Sequence, residues 1–506
     1  MRPEKASLHF VQAASIRFNR RVFPAFIMVQ YFKLGSWDRF ILLLLLFGLL
    51  QIPFLLFSEN ILLPELLWIR LGERISEGWW LYAQTLDETA PIPAMVYAGL
   101  AKMGILNFHV LRYLAAFLVL MQALWLNRMV HRYQLVAERN YLLAFFYIVF
   151  SHLGPDCFSL SPVLMANTFL LFAISRFFKI LKDGPGSEDS MVLGIWLGLG
   201  MLCYQPIALF ILPVYLSALF FTGLKPNQYL LILAAMLLPM GGVYVIYMIN
   251  SAETEFWTCF LAPFRLRFLL SLVGWEINLA IGGILLVVSL VGWAIANQNS
   301  RINFQRLSFT VFFFSLVISF LSIFLGTVQS TNQLIFLVPH AAFFMCQFML
   351  CTRGILMQEV YSLLVGILFV SGFYGMADPT FGKQILGHNL FVENPPKGFT
   401  ANFANQNILV LDNDFRFYKF NKPATRFFRY YLSDIEPGYS QTYEGLIFWY
   451  QCLSENPPRL IYDPNNLIPA LAVRIPEFGK CYRATFYPHL YQAIPGKKFG
   501  GDVGEL

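Results

Sequence analysis

Residues Phe40–Phe57 read FILLLLLFGLLQIPFLLF, an uninterrupted apolar run without a charged side chain. A helix needs about 20 mainly apolar residues to cross the hydrocarbon core of a bilayer. A second run of this kind covers Leu230–Met248, and the chain of 506 residues is 57% hydrophobic and 13% charged. Its mean hydropathy is +0.58. This composition excludes a soluble enzyme, a disordered chain and a disulfide-rich scaffold, and it predicts an all-α polytopic membrane protein.

Apolar runs separated by polar breaks predict about eleven transmembrane helices. Their expected positions are 40–58, 107–127, 141–153, 161–178, 191–204, 206–222, 228–249, 272–296, 306–326, 332–351 and 355–375. With a cytoplasmic N-terminus, the inner segments carry 17 Lys and Arg residues and the outer loops carry six. Basic flanks resist translocation, so we expect a plasma (inner) membrane protein whose C-terminus lies outside. The net charge of +7 then reflects topology, and no nucleic-acid partner is expected.

The composition changes near residue 377, where the long apolar runs end. This predicts a basic cytoplasmic segment at 1–39, a transmembrane domain at 40–376 and an extracytoplasmic, or periplasmic, domain at 377–506. In the last part, Asn407–Leu411 and Arg459–Tyr462 have buried-strand patterns, a helix is expected between them at Tyr439–Leu453, and Tyr482–Tyr487 is a late β-like stretch. Strand, helix and strand in this order allow a βαβ crossover, so we expect a small α/β domain.

The loop after the first span, Glu59–Gly104, is the most informative segment. Leu67, Leu71 and Ile75 recur every four residues, and charged residues occupy the opposite side. This spacing predicts an amphipathic helix from Pro64 to the stop at Gly78, lying on the membrane surface or on the outer face of the protein. An acidic turn and a second surface helix follow, so that the two surface helices together cover 64–104.

Several motifs in this order resemble the GT-C superfamily of integral-membrane glycosyltransferases. They are the acidic residue after the first span, the helix ending in Gly, a Tyr, the acidic turn before Pro-x-Pro at 91–93, the Gly-rich stretch Gly194–Pro213, and the segments Ile408–Phe428 and Ser454–Asp463. The run Ser159–Phe178 also resembles an inner-membrane protein family of Bacteroidota. The GT-C resemblance implies transfer of a sugar from a polyprenyl-phosphate carrier to an acceptor at the outer membrane face, with membrane lipid and the polyprenyl-linked sugar as partners.

The resemblance implies a catalytic carboxylate in the first outer loop. By position this residue is Glu65, with Asp87 and Glu88 as helpers in activating the acceptor. Each residue also has a structural interpretation. Glu65 suits the first turn of a helix, where the dipole favours a negative charge, and Asp87 and Glu88 suit a solvated turn before proline.

Candidate groups for a metal ion and for the carrier phosphate lie in later loops. Asp156 is a candidate ligand for a divalent ion, Mg²⁺ or Mn²⁺, although Gly-Pro-Asp is also ordinary turn chemistry. Arg265 and Arg267 are candidates for binding the lipid phosphate, or else arginines that snorkel beside lipid. Gln333 stands where the family often has Arg or His facing the phosphate. His340, in mid-span, is a further candidate, or a neutral hydrogen-bonded histidine.

Three functions compete. The first is the glycosyltransferase, and the second is a non-catalytic GT-C-like subunit whose outer loops and tail bind protein partners in a cell-envelope complex. The third is a transporter, which is disfavoured because the sequence has no internal repeat and few charged residues within its spans.

Overall fold

The computed structural model describes residues 31–33, 35–56, 61–136, 139–264, 270–272, 275–299, 302–326, 328–352, 391–396, 398–426, 443–497 and 499, with the single residues 358, 363 and 366. The predicted eleventh span falls almost wholly outside these ranges, and so do the predicted phosphate ligands Arg265 and Arg267.

Helices dominate the described residues up to 352. They are α1 Trp37–Leu56, α2 Leu63–Ser76, α3 Pro91–Lys102, α4 Phe108–Arg132, α5 Leu142–Phe150, α6 Pro162–Asp183, α7 Ser187–Met201, α8 Ile211–Phe221, α9 Pro226–Ile249, α10 Glu253–Phe260, α11 Trp275–Asn299, α12 Asn303–Leu321 and α13 Val338–Cys351.

Within the described part of the chain, six helical stretches are long and apolar enough to cross a membrane. They are Phe108–Arg132, Pro162–Asp183, Pro226–Ile249, Trp275–Asn299, Asn303–Phe324 and Thr331–Cys351. Helix α1 carries the predicted first span. The predicted third span corresponds to α5, whose nine residues are all buried. A helix of that length covers only about 14 Å, so α5 is a core element inside the bundle.

Close packing of two helices explains why residues 194 and 198 are glycines. A Cβ atom added to Gly194 or to Gly198 would meet the backbone of α9 at Ile232 or Met236. Small residues spaced by four allow two helix backbones to approach at such a crossing. Helix α7 therefore packs directly against α9, and its other side packs against α6.

The described residues beyond 390 form a small sheet with short helices. Its strands are β3 Asn407–Val410, β4 Lys422–Pro423, β5 Leu460–Tyr462, β6 Tyr482–Ala484 and β7 Leu490–Ala493, and the helices are α14 Phe399–Phe403, α15 Tyr443–Glu455, α16 Leu467–Arg474 and α17 Glu477–Cys481. The first two strands, β1 Leu270–Ser271 and β2 Val328–Gln329, pair in parallel as a separate two-stranded sheet. The sheet order is β4-β3-β5-β7-β6, with β3 parallel to β4 and β5, and β7 antiparallel to β5 and β6. The predicted strand–helix–strand order is present as β3, α15 and β5.

Helix α2 forms where the sequence predicts it, but it does not lie on a surface. Nine of its residues, among them Leu67, Leu71 and Arg74, are buried. Its charged side contacts the C-terminal part of the chain, because Arg70 donates to the carbonyl oxygens of Tyr418 and Lys419, and Arg74 to that of Pro423. The predicted surface location is wrong, since the side expected to face solvent is covered by these carbonyl groups.

Candidate functional site

A partly open cavity of about 80 Å³ lies where the loop after α1 meets the ends of the spanning helices. Its lining combines apolar side chains, among them Leu67, Trp68 and Val163, with polar ones. The lining residues are Pro64, Leu67, Trp68, Glu88, Thr89, Ala90, Pro162, Val163, Tyr204, Gln205, Pro263, Leu272, Gly326, Val328, Ser330, Asn332 and Gln333. We call this space the loop cavity. A concave site with apolar walls and a few polar groups is the usual form of a small-molecule site.

The carboxylate in the loop cavity is Glu88, which the sequence predicts as a helper. Its backbone is fixed, because Gln205 donates from Nε2 to the Glu88 carbonyl at 3.0 Å, and the Tyr82 hydroxyl donates to the Thr89 carbonyl at 2.9 Å. Burial raises the pKa of Tyr204, and the nearby charge of Glu88 raises it further. The Glu88 side chain is half-buried and lines the cavity, so it is placed to meet a ligand.

Asp87 points into the protein. Its side chain has no exposed surface, and its Oδ1 accepts from the Thr89 backbone N–H at 2.7 Å. The solvated-turn alternative is therefore wrong for Asp87, and the turn is a buried one that fixes the direction of the Glu88 backbone. The two acids that the sequence groups together face different surroundings.

The segment before α13 also lines the loop cavity. Gln333 is 3% exposed, and its Nε2 donates to the carbonyls of Leu325 and Val328 at 2.9 and 3.0 Å. Those two carbonyls fix which end of the amide is nitrogen. Its Oε1 is buried and has no hydrogen-bond partner among the described residues. Gln333 thus offers an acceptor, which suits a hydroxyl or N–H group of a ligand rather than a phosphate oxygen.

Asp156 lies behind this segment. Its carboxylate accepts from the Thr331 hydroxyl and from the Asn332 backbone N–H, and its side chain is fully buried. Burial raises the pKa of Asp156 to about 6, against the opposing effect of these hydrogen bonds. The contacts tie the loop between α5 and α6 to the segment that carries Asn332 and Gln333, so Asp156 is placed as a positioning residue.

Glu65 is next to the cavity-lining Pro64 but forms an internal ion pair. Its two carboxylate oxygens each lie 2.8 Å from Arg112, one from Nε and one from Nη2, and Oε2 also accepts from the Leu62 backbone N–H at 3.0 Å. The Glu65 side chain has no exposed surface. This arrangement matches the structural alternative for Glu65, in which the carboxylate serves the first turn of its helix.

The candidates for the carrier phosphate are not assembled in the loop cavity. His340 is fully buried in the helix bundle, with Nδ1 at 2.9 Å from the Phe336 carbonyl and its ring against Phe312. Gln333 lines the cavity, whereas Arg265 and Arg267 lie outside the described residues. None of the described lining residues is Lys, Arg or His.

The groups present do not fit the predicted metal ion. Among the residues that the structure describes, no group of three or more His, Cys, Asp or Glu side chains comes together to hold one. Asp156 uses its oxygens on Thr331 and Asn332, and Asp87 uses Oδ1 on Thr89. A role for Mg²⁺ or Mn²⁺ stays a prediction, and no step below depends on it.

Sequence reasoning missed Trp68, Tyr204 and Gln205 as cavity residues. Tyr204 and Gln205 are polar groups in an otherwise apolar stretch, MLCYQPIALF at 201–210, and that contrast was the available signal. Trp68 carried no such signal, because an aromatic residue on an amphipathic helix is ordinary core. The structure stacks it on Tyr97 with ring centroids 5.9 Å apart.

No protein-family model and no curated protein sequence matches this chain. Two solved structures are similar to it. ArnT from Cupriavidus metallidurans, solved bound to undecaprenyl phosphate, is 14% identical with a TM-score of 0.46 over 70% of this chain and 74% of its own. The oligosaccharyltransferase of Archaeoglobus fulgidus in the apo form is 11% identical with a TM-score of 0.45 over 88% of this chain and 73% of its own.

Proposed function

We propose that the chain is a GT-C-like membrane glycosyltransferase that transfers a sugar from a polyprenyl-phosphate donor at the extracytoplasmic face. The observation that carries the proposal is that Glu88 lines the loop cavity together with amide and apolar residues. Such a cavity suits an amphipathic ligand with hydroxyl groups at one end and hydrocarbon at the other.

Glu88 is the proposed general base. It accepts the proton of the acceptor hydroxyl while the acceptor oxygen bonds to the anomeric carbon of the sugar. The bond from that carbon to the phosphate oxygen breaks, and the polyprenyl phosphate leaves. A base of this kind needs hydrogen-bond reach to the proton it takes, and contributes roughly 10²- to 10⁴-fold to the rate.

The neutral polar groups of the cavity are proposed to bind the sugar. Gln333 accepts through Oε1, and Asn332 and Gln205 supply amide groups beside it. Leu67, Trp68 and Val163 form the apolar surface for the first units of the carrier. The carrier phosphate requires cations, and the proposal assigns it to Arg265 and Arg267, which follow the cavity residue Pro263 in the sequence.

The direct test measures release of polyprenyl phosphate by the purified full-length protein, supplied with polyprenyl-phosphate monosaccharides of several kinds. We expect Glu88→Gln to lower the release rate by roughly a hundredfold or more. The matched control is Glu253→Gln, which removes the same charge from an exposed position at the start of α10. Wild-type turnover in Glu88→Gln contradicts the proposed base.

One observation favours the second function, a non-catalytic subunit of a cell-envelope complex. The first-loop acid that the family resemblance singles out, Glu65, is held by Arg112 inside the protein. If the wild-type protein releases no carrier from any donor, while native extraction yields it with other chains in fixed proportion, the subunit function replaces the transferase.

A further inference from the structure

A second concave surface lies at the far end of α4 from the loop cavity. It is an open groove of about 720 Å³, lined by Gly35, Trp37, Asn127, Arg128, His131, Arg132, Gln134, Val136, Arg139, Asn140 and Tyr141. We call it the arginine groove. Arg112, whose partner Glu65 adjoins the loop cavity, and Arg128 are 16 residues apart on α4, which is about 24 Å along a helix axis. The two sites therefore belong to opposite boundaries of the membrane-spanning bundle.

The charged side chains in the described lining of the arginine groove are all basic. Arg128, Arg132 and Arg139 line it together with His131, and none of the described lining residues is Asp or Glu. No hydrogen bond or ion pair joins these three guanidinium groups to another described residue. Three cations at one concave surface, without an acidic partner among the described residues, attract an anion.

Two other basic residues at this end of the bundle share an acidic partner. Arg176 and Lys179 on α6 both contact Asp189, at 3.2 and 3.0 Å. Basic residues that serve only to orient the chain in the membrane do not have to gather around one cavity. The groove differs from this pair in that three arginines line one concave surface and have no acidic partner in the described part of the chain.

The floor of the groove is built from hydrogen-bonded side chains. Asn127 donates from Nδ2 to the Asn140 carbonyl at 3.1 Å, and His131 Nε2 lies 2.9 Å from the same oxygen. Asn127 is 6% exposed, and its Oδ1 is buried with no hydrogen-bond partner among the described residues. The lining thus holds a buried acceptor, without a partner among the described residues, together with the arginine donors, and this combination complements a phosphate that carries a hydroxyl-bearing group.

The position of the groove is that of a lipid headgroup. It lies where α4 ends, and Trp37, with 80% of its surface exposed, stands on its rim. Tryptophan is enriched where a protein crosses the interface between hydrocarbon and water. Basic pockets between helices at such an interface bind the headgroups of anionic lipids.

We propose that the arginine groove binds a phosphate group, carried by an anionic lipid of that leaflet or by a soluble phosphate compound. The guanidinium groups of Arg128, Arg132 and Arg139 bind the phosphate oxygens, since planar guanidinium matches them with paired hydrogen bonds. Asn127 accepts from a hydroxyl group next to the phosphate. This site is separate from the loop cavity and does not depend on transferase activity.

The test compares the wild-type protein with the triple variant Arg128→Gln, Arg132→Gln, Arg139→Gln. The matched control, Lys179→Gln, Lys182→Gln, Arg306→Gln, removes three positive charges from the same end of the bundle outside the groove. Gln134→Glu is a second variant that keeps the arginines and adds a negative charge to the lining. Binding of phosphatidylglycerol and of phosphatidylcholine to each purified protein is measured by native mass spectrometry, and binding of inorganic phosphate by calorimetry.

We expect the wild type to bind phosphatidylglycerol in preference to phosphatidylcholine, and the groove triple variant to lose roughly a hundredfold in affinity. Gln134→Glu weakens binding in the same direction, and the control triple variant keeps it. Binding of inorganic phosphate that depends on the same arginines, without a lipid preference, identifies a soluble phosphate as the ligand source. Equal losses in the groove and control variants, or no binding of either probe by the wild type, overturn the proposal.

Discussion

At the scale of single residues, the pair Glu65 and Arg112 joins a loop helix to a spanning helix inside the protein. Both side chains are buried, at 0% and 8% exposure. Removing one partner of a buried ion pair leaves a charge without compensation and costs about 3–5 kcal/mol, whereas replacing both is often close to neutral.

We therefore expect Arg112→Met to lower the thermal unfolding midpoint strongly, and Glu65→Gln with Arg112→Met together to recover most of the loss. In the double variant the Gln amide oxygen still accepts from the Leu62 N–H. The measurement is thermal unfolding in detergent. If Glu65→Gln alone keeps the wild-type midpoint and abolishes sugar transfer, Glu65 is the catalytic acid that the family resemblance implies.

The ionisation of Asp156 gives a second prediction. Its pKa is about 6 in the fold against an ordinary value of 3.8, so the folded protein holds this proton more tightly than the unfolded chain. The protonated Asp156 side chain therefore adds to the free energy of unfolding at low pH. This contribution, about 3 kcal/mol in all, is lost as the pH rises from about 4 through about 6.

Because Asp156→Asn does not titrate, the unfolding midpoint of the wild type relative to this variant should fall between about pH 4 and about pH 7. The comparison needs thermal unfolding of both proteins across that range. A difference that stays constant with pH, or that increases toward neutrality, contradicts the assigned cause.

The sequence identified Asp87 and Glu88 as candidate acids, but it did not show which of the two side chains is buried. Asp87 and Glu88 are neighbours in one turn, yet one is sealed inside and the other lines the loop cavity. Spacing in a sequence shows which residues adjoin. Which side of a turn becomes buried depends on Gln205 and Tyr82 holding its backbone, and those partners are too far away in the chain, or too ordinary in type, to be recognised beforehand.

At the scale of elements, the segment before α13 depends on one glycine. Gly326 has φ +122°, and an added Cβ would lie 2.9 Å from Nε2 of Gln333 and 3.2 Å from the hydroxyl oxygen of Tyr204. Backbone of this conformation disfavours any side chain. Gly326 thus fixes the close approach that orients Gln333 in the cavity.

We expect Gly326→Ala to displace Gln333, to lower the unfolding midpoint and to abolish carrier release. The control is Gly283→Ala in α11, where an added Cβ meets nothing within 4 Å. That change should keep the midpoint or raise it slightly, since Ala is the better helix former. Normal activity in Gly326→Ala removes Gln333 from the proposed sugar contacts.

Helix α2 shows what a sequence pattern predicts and what it does not. Its bounds follow from Pro64 at the start and the four-residue recurrence of Leu67, Leu71 and Ile75, and the structure contains it at Leu63–Ser76. The recurrence shows which residues share a face. It does not show that the opposite face meets the carbonyls of Tyr418 and Lys419, because these lie nearly 350 residues away in sequence.

At the scale of the whole molecule, the proposed function requires the loop cavity and the C-terminal sheet to lie on the extracytoplasmic side of the membrane. The predicted orientation rests on the distribution of Lys and Arg. Two exposed positions test it, Val473 in α16 and Glu188 at the start of α7. All of the native cysteines are buried except Cys351, which is partly buried.

We expect Val473→Cys to react with a membrane-impermeant maleimide in intact spheroplasts, and Glu188→Cys to react only after permeabilisation. The unmodified chain provides the background. The reverse pattern would invert the topology, and the loop cavity would then face the cytoplasm.

The apolar runs were sufficient to locate most helices, because burial in lipid requires long uninterrupted segments whose ends are marked by charge. The loop cavity, by contrast, could not be predicted from the sequence. It is assembled from short segments near Trp68, Glu88, Gln205, Leu272 and Gln333, which come together only when the bundle packs.

The measurement that tests the central claim most directly is an electron cryomicroscopy structure of the full-length protein with a polyprenyl-phosphate sugar. Density for the sugar in the loop cavity, within hydrogen-bond reach of Glu88 and Gln333 and with the carrier leaving along Trp68, is the predicted result. Bound carrier found elsewhere, with the loop cavity containing only water, would contradict it.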